Sequence, residues 1–512
     1  MDVNRPTGMF WQQTRAAGLL LPVFSLSSRY GIGTLGREAE RFVAFLNRAK
    51  QRYWQILPLG PTGEDGNSPY KAFSMFAGNP YAIDLDQLCE IGLLEPKEIR
   101  RVCWGHSVAR IDYTALYRRR VAVLRRAFER FRADADAAYA AFCAKEAYWL
   151  EDYALFMAIK GRQDGRPWQQ WEETLRKRRP GALADFTEQN AEELAFWRFV
   201  QYQFQRQWNR LKRQARQSGI GIIGDLSIYP ADDSVDVWAH PELFLLDEDG
   251  FPRLQAGCPP DAFSDAGQLW GNPVYHWDAM KRQGYRWWID CLRRQAALYD
   301  VVRLDHFRGF EAFYVIPAGD LTSERGQWLP GPGLDFFRVA EKELGSINII
   351  AENLGELTPE SRRLHAESGY PGMKVLQFAF DSDDSEHLPC HIEADDVAYV
   401  GTHDNPTARQ WFGTLSKKAR GRCLRYMDIK NGRGIAGRMV ELALGSKARL
   451  AIITPQDYLG LGKQARVNLP GSGRGNWRWR ARRGMFSQKL ADKIAAMTVK
   501  SGRAAAEFDT IK

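Results

Sequence analysis

The sequence predicts a (β/α)8 barrel carrying two insertions, and three observations predict it. Eight short apolar stretches follow one another at residues 18–24, 53–59, 221–226, 301–305, 347–352, 373–380, 397–401 and 450–453, and eight is the strand number of such a barrel. Stretches with helical periodicity lie between most of them, such as 38–50 after the first and 287–299 before the fourth, as a β/α alternation requires. Three of the β-branched runs end on a carboxylate: 301–306 (VVRLDH), 349–353 (IIAEN) and 397–405 (VAYVGTHDN). Short buried strands that stop at an acid are the pattern of a parallel barrel, whose chemistry sits at the C-terminal strand ends.

Taken in order, the first two strands are separated by a simple crossover, but the second and third are not. From about 85 to 217 the chain is dominated by Ala, Arg, Glu, Gln and aromatic residues with few strand signals, which reads as a helical insertion. After the third strand, residues 227–284 turn irregular and rich in Pro, Gly, Asp and Trp. This second insertion leaves the C-terminal end of a strand, so it should overhang the active face. The remaining strands follow with crossover-length spacings. No repeat or low-complexity linker divides residues 1–512, which read as one catalytic barrel without a separate C-terminal β-sandwich domain.

The 512 residues are 45% hydrophobic, with 17 Trp, 19 Tyr and 27 Phe, a load that suits either a large core, which must take most of them, or a set of flat surfaces on which sugar rings stack. A formal charge of +9 brings nucleic acid or a membrane surface into consideration. Much of the excess, however, sits in Arg-rich, helix-like stretches at 118–120, 125–126 and 176–179, which read as solvated faces, and no nucleic-acid motif accompanies them. The seven cysteines (Cys89, Cys103, Cys143, Cys258, Cys291, Cys390 and Cys423) show no C-x-x-C pair and no metal-ligand spacing, as expected of reduced thiols in a cytoplasmic protein. Residues 16–24 imitate a signal peptide, but Pro22 interrupts them and no small-residue cleavage site follows. No apolar run approaches the roughly 18 residues of a membrane span.

An Asp and a Glu about 5–5.5 Å apart are what a retaining glycosidase needs, one as nucleophile and the other as proton donor and then base. Arg303 and Asp305 are two apart on a strand and so share a face; a guanidinium beside a carboxylate favours the ionised, nucleophilic form. Glu352 must begin protonated, which burial or a nearby anion achieves. Asp404 is available to an oxocarbenium-like transition state, and His403 beside it to a sugar hydroxyl. Each acid alone is equally well read as a strand-end group satisfied by a cap or an ion pair, and Arg303–Asp305 as a structural pair. Three in one pattern favour chemistry.

Read together, 303–309 (RLDHFRG), 350–355 (IAENLG) and 401–405 (GTHDN) resemble the motifs of the amylomaltases, also called disproportionating enzymes or 4-α-glucanotransferases, glycoside hydrolase family 77 of the α-amylase superfamily. The resemblance runs nearly the full length, through 27–36 (SSRYGIGTLG), 54–63 (WQILPLGPTG), 68–79 (SPYKAFSMFAGN), 224–238 (GDLSIYPADDSVDVW), 259–273 (PPDAFSDAGQLWGNP), 372–380 (GMKVLQFAF), 454–460 (TPQDYLG) and 476–480 (NWRWR). It implies Asp305 as nucleophile, Glu352 as acid/base and Asp404 as transition-state stabiliser. It further implies Arg303, His403, Ser68, Tyr70, Asn405 and Asp225 around the sugar at the cleavage point, with Tyr70 stacking beneath the ring. Trp270 and Gln268 would belong to a loop that hangs over the cleft and lines the acceptor side. Trp270 also reads as a core aromatic, but Gly267 and residues 271–273 (GNP) argue for a shaped loop. The substrates implied are α-1,4-glucan donors and acceptors (maltooligosaccharides, amylose, starch or glycogen), with no cofactor, no metal, no nucleic acid and no membrane.

Some positions depart from the family pattern. Asn353 stands where an Asp usually follows the catalytic Glu, Pro406 where an Asp usually follows His-Asp-Asn, and Asp265 puts a charge where the family varies. Neither of the first two changes removes a catalytic acid, so they bear on rate and pH optimum. Residues 247–250 (DEDG) lack the alternating acids and distal Glu of a calcium loop, 471–475 (GSGRG) lack the Lys-Ser/Thr of a phosphate loop, and 381–386 (DSDDSE) suggest a cation but read equally as a sugar contact or a solvated loop. The rivals to a transferase are an α-glucan hydrolase with the same acids, a non-catalytic glucan binder, which should have lost one acid, and a basic nucleic-acid binder, which should bind in a salt-sensitive way.

Overall fold

The computed structural model describes residues 14–63, 66–132, 137–260 and 267–504, so Asp265 lies outside the described residues. Its strands are β1 (Ala16–Leu20), β2 (Tyr53–Gln55), β3 (Gly221–Leu226), β4 (Leu254–Cys258), β5 (Gln268–Pro273), β6 (Val301–Leu304), β7 (Ala312–Pro317), β8 (Gln327–Pro330), β9 (Ile349–Ala351), β10 (Met373–Val375), β11 (Val397–Tyr399) and β12 (Leu450–Ile453). Eight of them pair in parallel, in the order β10-β11-β12-β1-β2-β3-β6-β9. The ring closes at a seam between β9 and β10 that is narrower than a strand pair. There the Ala351 amide donates to the Pro371 carbonyl at 2.9 Å, Ala351 bridges Gly372, and the Asn353 side chain accepts the Met373 N–H at 2.8 Å.

All eight expected barrel strands are present, several of them shorter than the apolar runs that announced them. The run at 18–24 begins earlier, at Ala16, and ends at Leu20, because Pro22 has no N–H for the ladder and leads into a 3-10 turn at Val23–Ser25. The run at 373–380 leaves the sheet after Val375 and turns through Leu376–Phe378.

The interior follows from strand alternation. Ala16, Leu20, Tyr53, Ile223, Val301, Ile350, Met373, Val375, Val397, Tyr399, Leu450 and Ile452 form one buried cluster inside the ring. Two residues further along the same inward rows, Ile223 gives way to Asp225, Val301 to Arg303 and Ile350 to Glu352. On these three strands the barrel therefore changes from a packed apolar plug to a charged layer within two residues. Register keeps that layer together, since Asp225 lies opposite Arg303, which lies opposite Ile350.

Between β2 and β3 the chain is helical, with long helices at Tyr113–Phe131, Ala137–Arg162 and Ala191–Gln217. The last of these leads into β3 and packs Trp208 edge-on against Tyr299 at 5.8 Å, so it serves as the crossover helix of the barrel itself. Residues 227–284, expected to be irregular, carry β4 and β5, which pair antiparallel. With β7 and β8, which follow β6, they make a four-stranded sheet in the order β5-β4-β7-β8. The extra sheet is thus assembled from two chain segments, each leaving the C-terminal end of a barrel strand. Among the described residues no helix is long and apolar enough to cross a membrane, and the seven cysteines form no disulfide.

Candidate active site

At the C-terminal strand ends the charged layer is organised around Arg303. Its guanidinium, almost wholly buried, reaches Asp225 at 2.7 Å on one side and Asp305 at 2.8 Å on the other. Asp225 is fully buried and takes a second hydrogen bond from the Tyr70 hydroxyl at 2.7 Å. Burial raises the Asp225 carboxyl above the ordinary carboxylate range, and Arg303 opposes that shift. Asp305, one step beyond the end of β6, is open to the cleft on its other side.

Glu352 stands beside it for a reason in the backbone. The Glu352 amide donates to the Leu304 carbonyl, extending the β6–β9 ladder past its last pair, and the amide of His306 returns a bond at 2.8 Å to Glu352 Oε2. The Leu354 amide donates to Oε1, also at 2.8 Å. Both carboxylate oxygens are therefore fixed by main-chain donors, one of them belonging to the residue after Asp305. Burial nevertheless lifts the Glu352 carboxyl to about 7, with Arg303 lowering it and the Asp305 charge raising it.

Asp404 follows β11. Its Oδ1 accepts from Asn468 Nδ2 at 2.6 Å and lies 3.4 Å from His403 Nε2. The Asn468 amide also donates to the His403 carbonyl at 3.1 Å, so the segment after β12 holds this turn from above. His403 Nε2 is 2.7 Å from the Tyr70 oxygen, whose own proton goes to Asp225; the imidazole N–H therefore donates to Tyr70. The two rings stack at 5.4 Å. Ser68 supplies the turn that presents Tyr70, its hydroxyl accepting the Tyr70 N–H at 3.2 Å.

The acids open into a cleft of about 660 Å³, within the range of small-ligand sites. Of the residues expected around the sugar, Ser68, Tyr70, Gln268, Trp270 and Arg303 line it together with Asp305, Glu352 and Asp404. Three do not. Asp225 lies behind Arg303 and Tyr70, and His403 behind Tyr70 and Asp404. Asn405 is turned inward, where its Oδ1 accepts from the Thr402 amide and hydroxyl at 2.9 and 3.0 Å and clamps the turn that carries Asp404. A strand-end motif tells which residues are neighbours but not how deep each lies.

The cleft also contains residues that sequence reasoning did not single out. His306 meets Trp270 edge-to-face at 5.0 Å, and Trp270 is steadied by a 3.1 Å bond from its indole N–H to Gln268. Trp477, inside the quoted stretch 476–480, lies 5.8 Å from Tyr70. His306 had a signal in its place directly after Asp305; Asn468, a lone polar residue in a loop, had none.

A family model described as 4-alpha-glucanotransferase matches residues 21–486. The chain belongs to this family. A 4-alpha-glucanotransferase of Thermus thermophilus is 46% identical over 495 residues, covering 94% of this chain and 98% of that one. The counterpart from Clostridium butyricum is 42% identical over 484 residues, covering 94% and 99%. Among solved structures, an amylomaltase from Streptococcus agalactiae in complex with acarbose superposes with a TM-score of 0.93 at 37% identity, covering 96% of this chain and all of that one. The molecule is accordingly an enzyme of α-1,4-glucans, a 4-alpha-glucanotransferase that moves glucan segments from one chain to another.

Proposed function

We propose that this 4-alpha-glucanotransferase works by double displacement, with Asp305 as nucleophile, Glu352 as acid and then base, and Asp404 stabilising the oxocarbenium-like transition state. The observation that carries the assignment is the contrast between two neighbouring acids. Asp305 is paired with a buried guanidinium at 2.8 Å, while Glu352, which borders the same cleft, is lifted by desolvation to about 7, where it holds a proton to give.

In the first step an Asp305 oxygen bonds to the anomeric carbon as its bond to the leaving O4 breaks, and the Glu352 proton goes to that oxygen. In the second, Glu352, now ionised, takes the proton of an acceptor 4-hydroxyl, whose oxygen bonds to the anomeric carbon and releases Asp305. Two inversions give net retention. Tyr70 supports the sugar ring, and Trp270 with Gln268 receives the acceptor. Asp225, His403 and Asn405 serve this surface from behind, by holding Arg303, Tyr70 and the Asp404 turn. The donors we assign are maltooligosaccharides and the chains of amylose, starch or glycogen, and the acceptors a glucan or glucose; the related amylomaltase that carries acarbose supports an oligosaccharide in this cleft. We assign no cofactor and a cytoplasmic setting, which the scattered cysteines, without a C-x-x-C pair, support.

Maltotriose alone tests the reading. Transfer should give glucose beside a ladder of longer maltooligosaccharides while the number of reducing ends stays nearly constant. A steady rise in reducing ends without longer products would mean that water, not sugar, takes the donor.

A further inference from the structure

His306 has two attachments that no barrel motif requires together. Its amide holds Glu352 Oε2, and its ring stands against Trp270 of β5, in the other sheet. To do both, the residue sits in the left-handed region at φ 48°, a conformation that a side chain with a Cβ keeps only when its surroundings fix it. The surroundings are apolar and close. The imidazole edge lies beside Gly309, where an added Cβ would come within 3.1 Å of it, and on the indole side the two ring planes cross at 86°. Its Nε2 is buried with no hydrogen-bond partner among the described residues, so contact holds that edge of the ring. Burial also keeps it neutral, with a pKa near 4. Trp270, like His306, is half-buried and borders the cleft.

We infer that His306 is a positioning residue that couples an acceptor sugar on Trp270 to the acid/base, a reading that rests on the roles proposed above for Trp270 and Glu352. A sugar stacked on the indole presses it against the imidazole. The imidazole secures the left-handed backbone at 306, and that backbone aims the amide at the carboxylate which must accept the acceptor's proton. Water cannot stack on Trp270 and meets a less ordered base. The partition between transfer and hydrolysis is therefore set partly through His306, which need not touch the sugar.

The test loads the enzyme from α-maltotriosyl fluoride and measures transfer to maltose against hydrolysis. The forms compared are the wild type, His306→Gly, His306→Asn, Trp270→Ala and the Trp270→Ala/His306→Gly double variant. Glycine and asparagine both tolerate the left-handed conformation and retain the amide, so they remove the ring and spare the backbone. Each single variant should lower the transfer-to-hydrolysis ratio by about three- to tenfold, the range a lost aromatic pair supplies. The double variant should be no worse than the poorer single, because both changes cut one link. Losses that multiply in the double variant overturn the coupling, as does an unaltered ratio in both His306→Gly and His306→Asn. Failure of the catalytic assignment would register elsewhere, as turnover retained by Asp305→Asn.

Discussion

The two sides of the cleft differ in how they are held, and so in what they contribute. The acids stand at the ends of barrel strands β6, β9 and β11, and each is tied by a hydrogen bond or ion pair to another part of the barrel face: Asp305 by a buried guanidinium, Glu352 by two main-chain amides, Asp404 by the side chain of Asn468. The aromatic side, Trp270 and Gln268, rides on an edge strand of a separate four-stranded sheet, half-exposed and hydrogen-bonded mainly to itself. Reacting groups must be placed to a fraction of an ångström, whereas a surface that receives one sugar and later releases another gains from give. On the mechanism we propose, the barrel side decides whether the bond breaks and the overhang decides what captures the fragment.

The strongest way to break this comparison is at Asp305. Asp305→Asn should lower transfer by on the order of 10⁴-fold or more, since an amide is a poor nucleophile and residues that act as a unit fail together. Near-normal turnover, after excluding deamidation back to Asp, would remove the nucleophile from this wall. Next in size is Glu352→Gln, at about 10²–10⁴-fold with glucans and much less with a glycosyl fluoride, whose leaving group needs no proton. The wild type should show the same group in its pH profile. Glu352 is raised to about 7 and must be protonated to act as acid, so donor kcat/KM should hold below that pH and fall tenfold per unit above it. An alkaline limb that survives in Glu352→Gln would point to another acid.

The barrel strands and the acids at their ends were legible in the sequence because three β-branched runs ending in Asp or Glu form a pattern that no single strand-end acid would. The second sheet was not: two of its four strands read LQAGC and QLWGNP, where glycine, glutamine and proline hide the alternation, and the apolar β7, AFYVIP, lies within the crossover that follows β6. Depth was equally hidden. Asp225, His403 and Asn405 were placed around the sugar with their neighbours, and in the structure each holds a neighbour from behind. The departures Asn353 and Pro406, whose effect the sequence left open, acquire a physical reading here. Asn353 Oδ1 takes the Met373 N–H at the barrel seam, and the Pro406 carbonyl takes a 2.8 Å bond from Gln377 before Thr407 caps the helix Ala408–Thr414.

The seam supplies a test of intermediate size. Asn353→Ala strands a buried N–H where β9 and β10 share a single bridge, which should cost about 1–3 kcal/mol, read as a lower unfolding midpoint. Asn353→Asp preserves the acceptor but sets a negative charge next to Glu352, and a like charge raises an acid's pKa. The alkaline limb of donor kcat/KM should therefore move to higher pH in that variant and not in Asn353→Ala. A limb unmoved in both would mean that the seam stabilises the barrel without reaching the acid.

The smallest expected effect lies on the aromatic side, and it decides whether the two walls are separable. Trp270→Ala removes the flat surface on which an acceptor ring stacks and opens the cleft beside Asp305 and Glu352, which both border it. With the acids untouched, donor cleavage should fall far less than in either acid variant, while the share of glycosyl-enzyme lost to water rises several-fold, because an ordered sugar hydroxyl holds its advantage through proximity alone. Maltotriose incubations should then show reducing ends accumulating and the ladder of longer products shortening. If the transfer-to-hydrolysis ratio stays at its wild-type value, Trp270 is a packing residue, and capture of the acceptor belongs to the same wall that cleaves the donor.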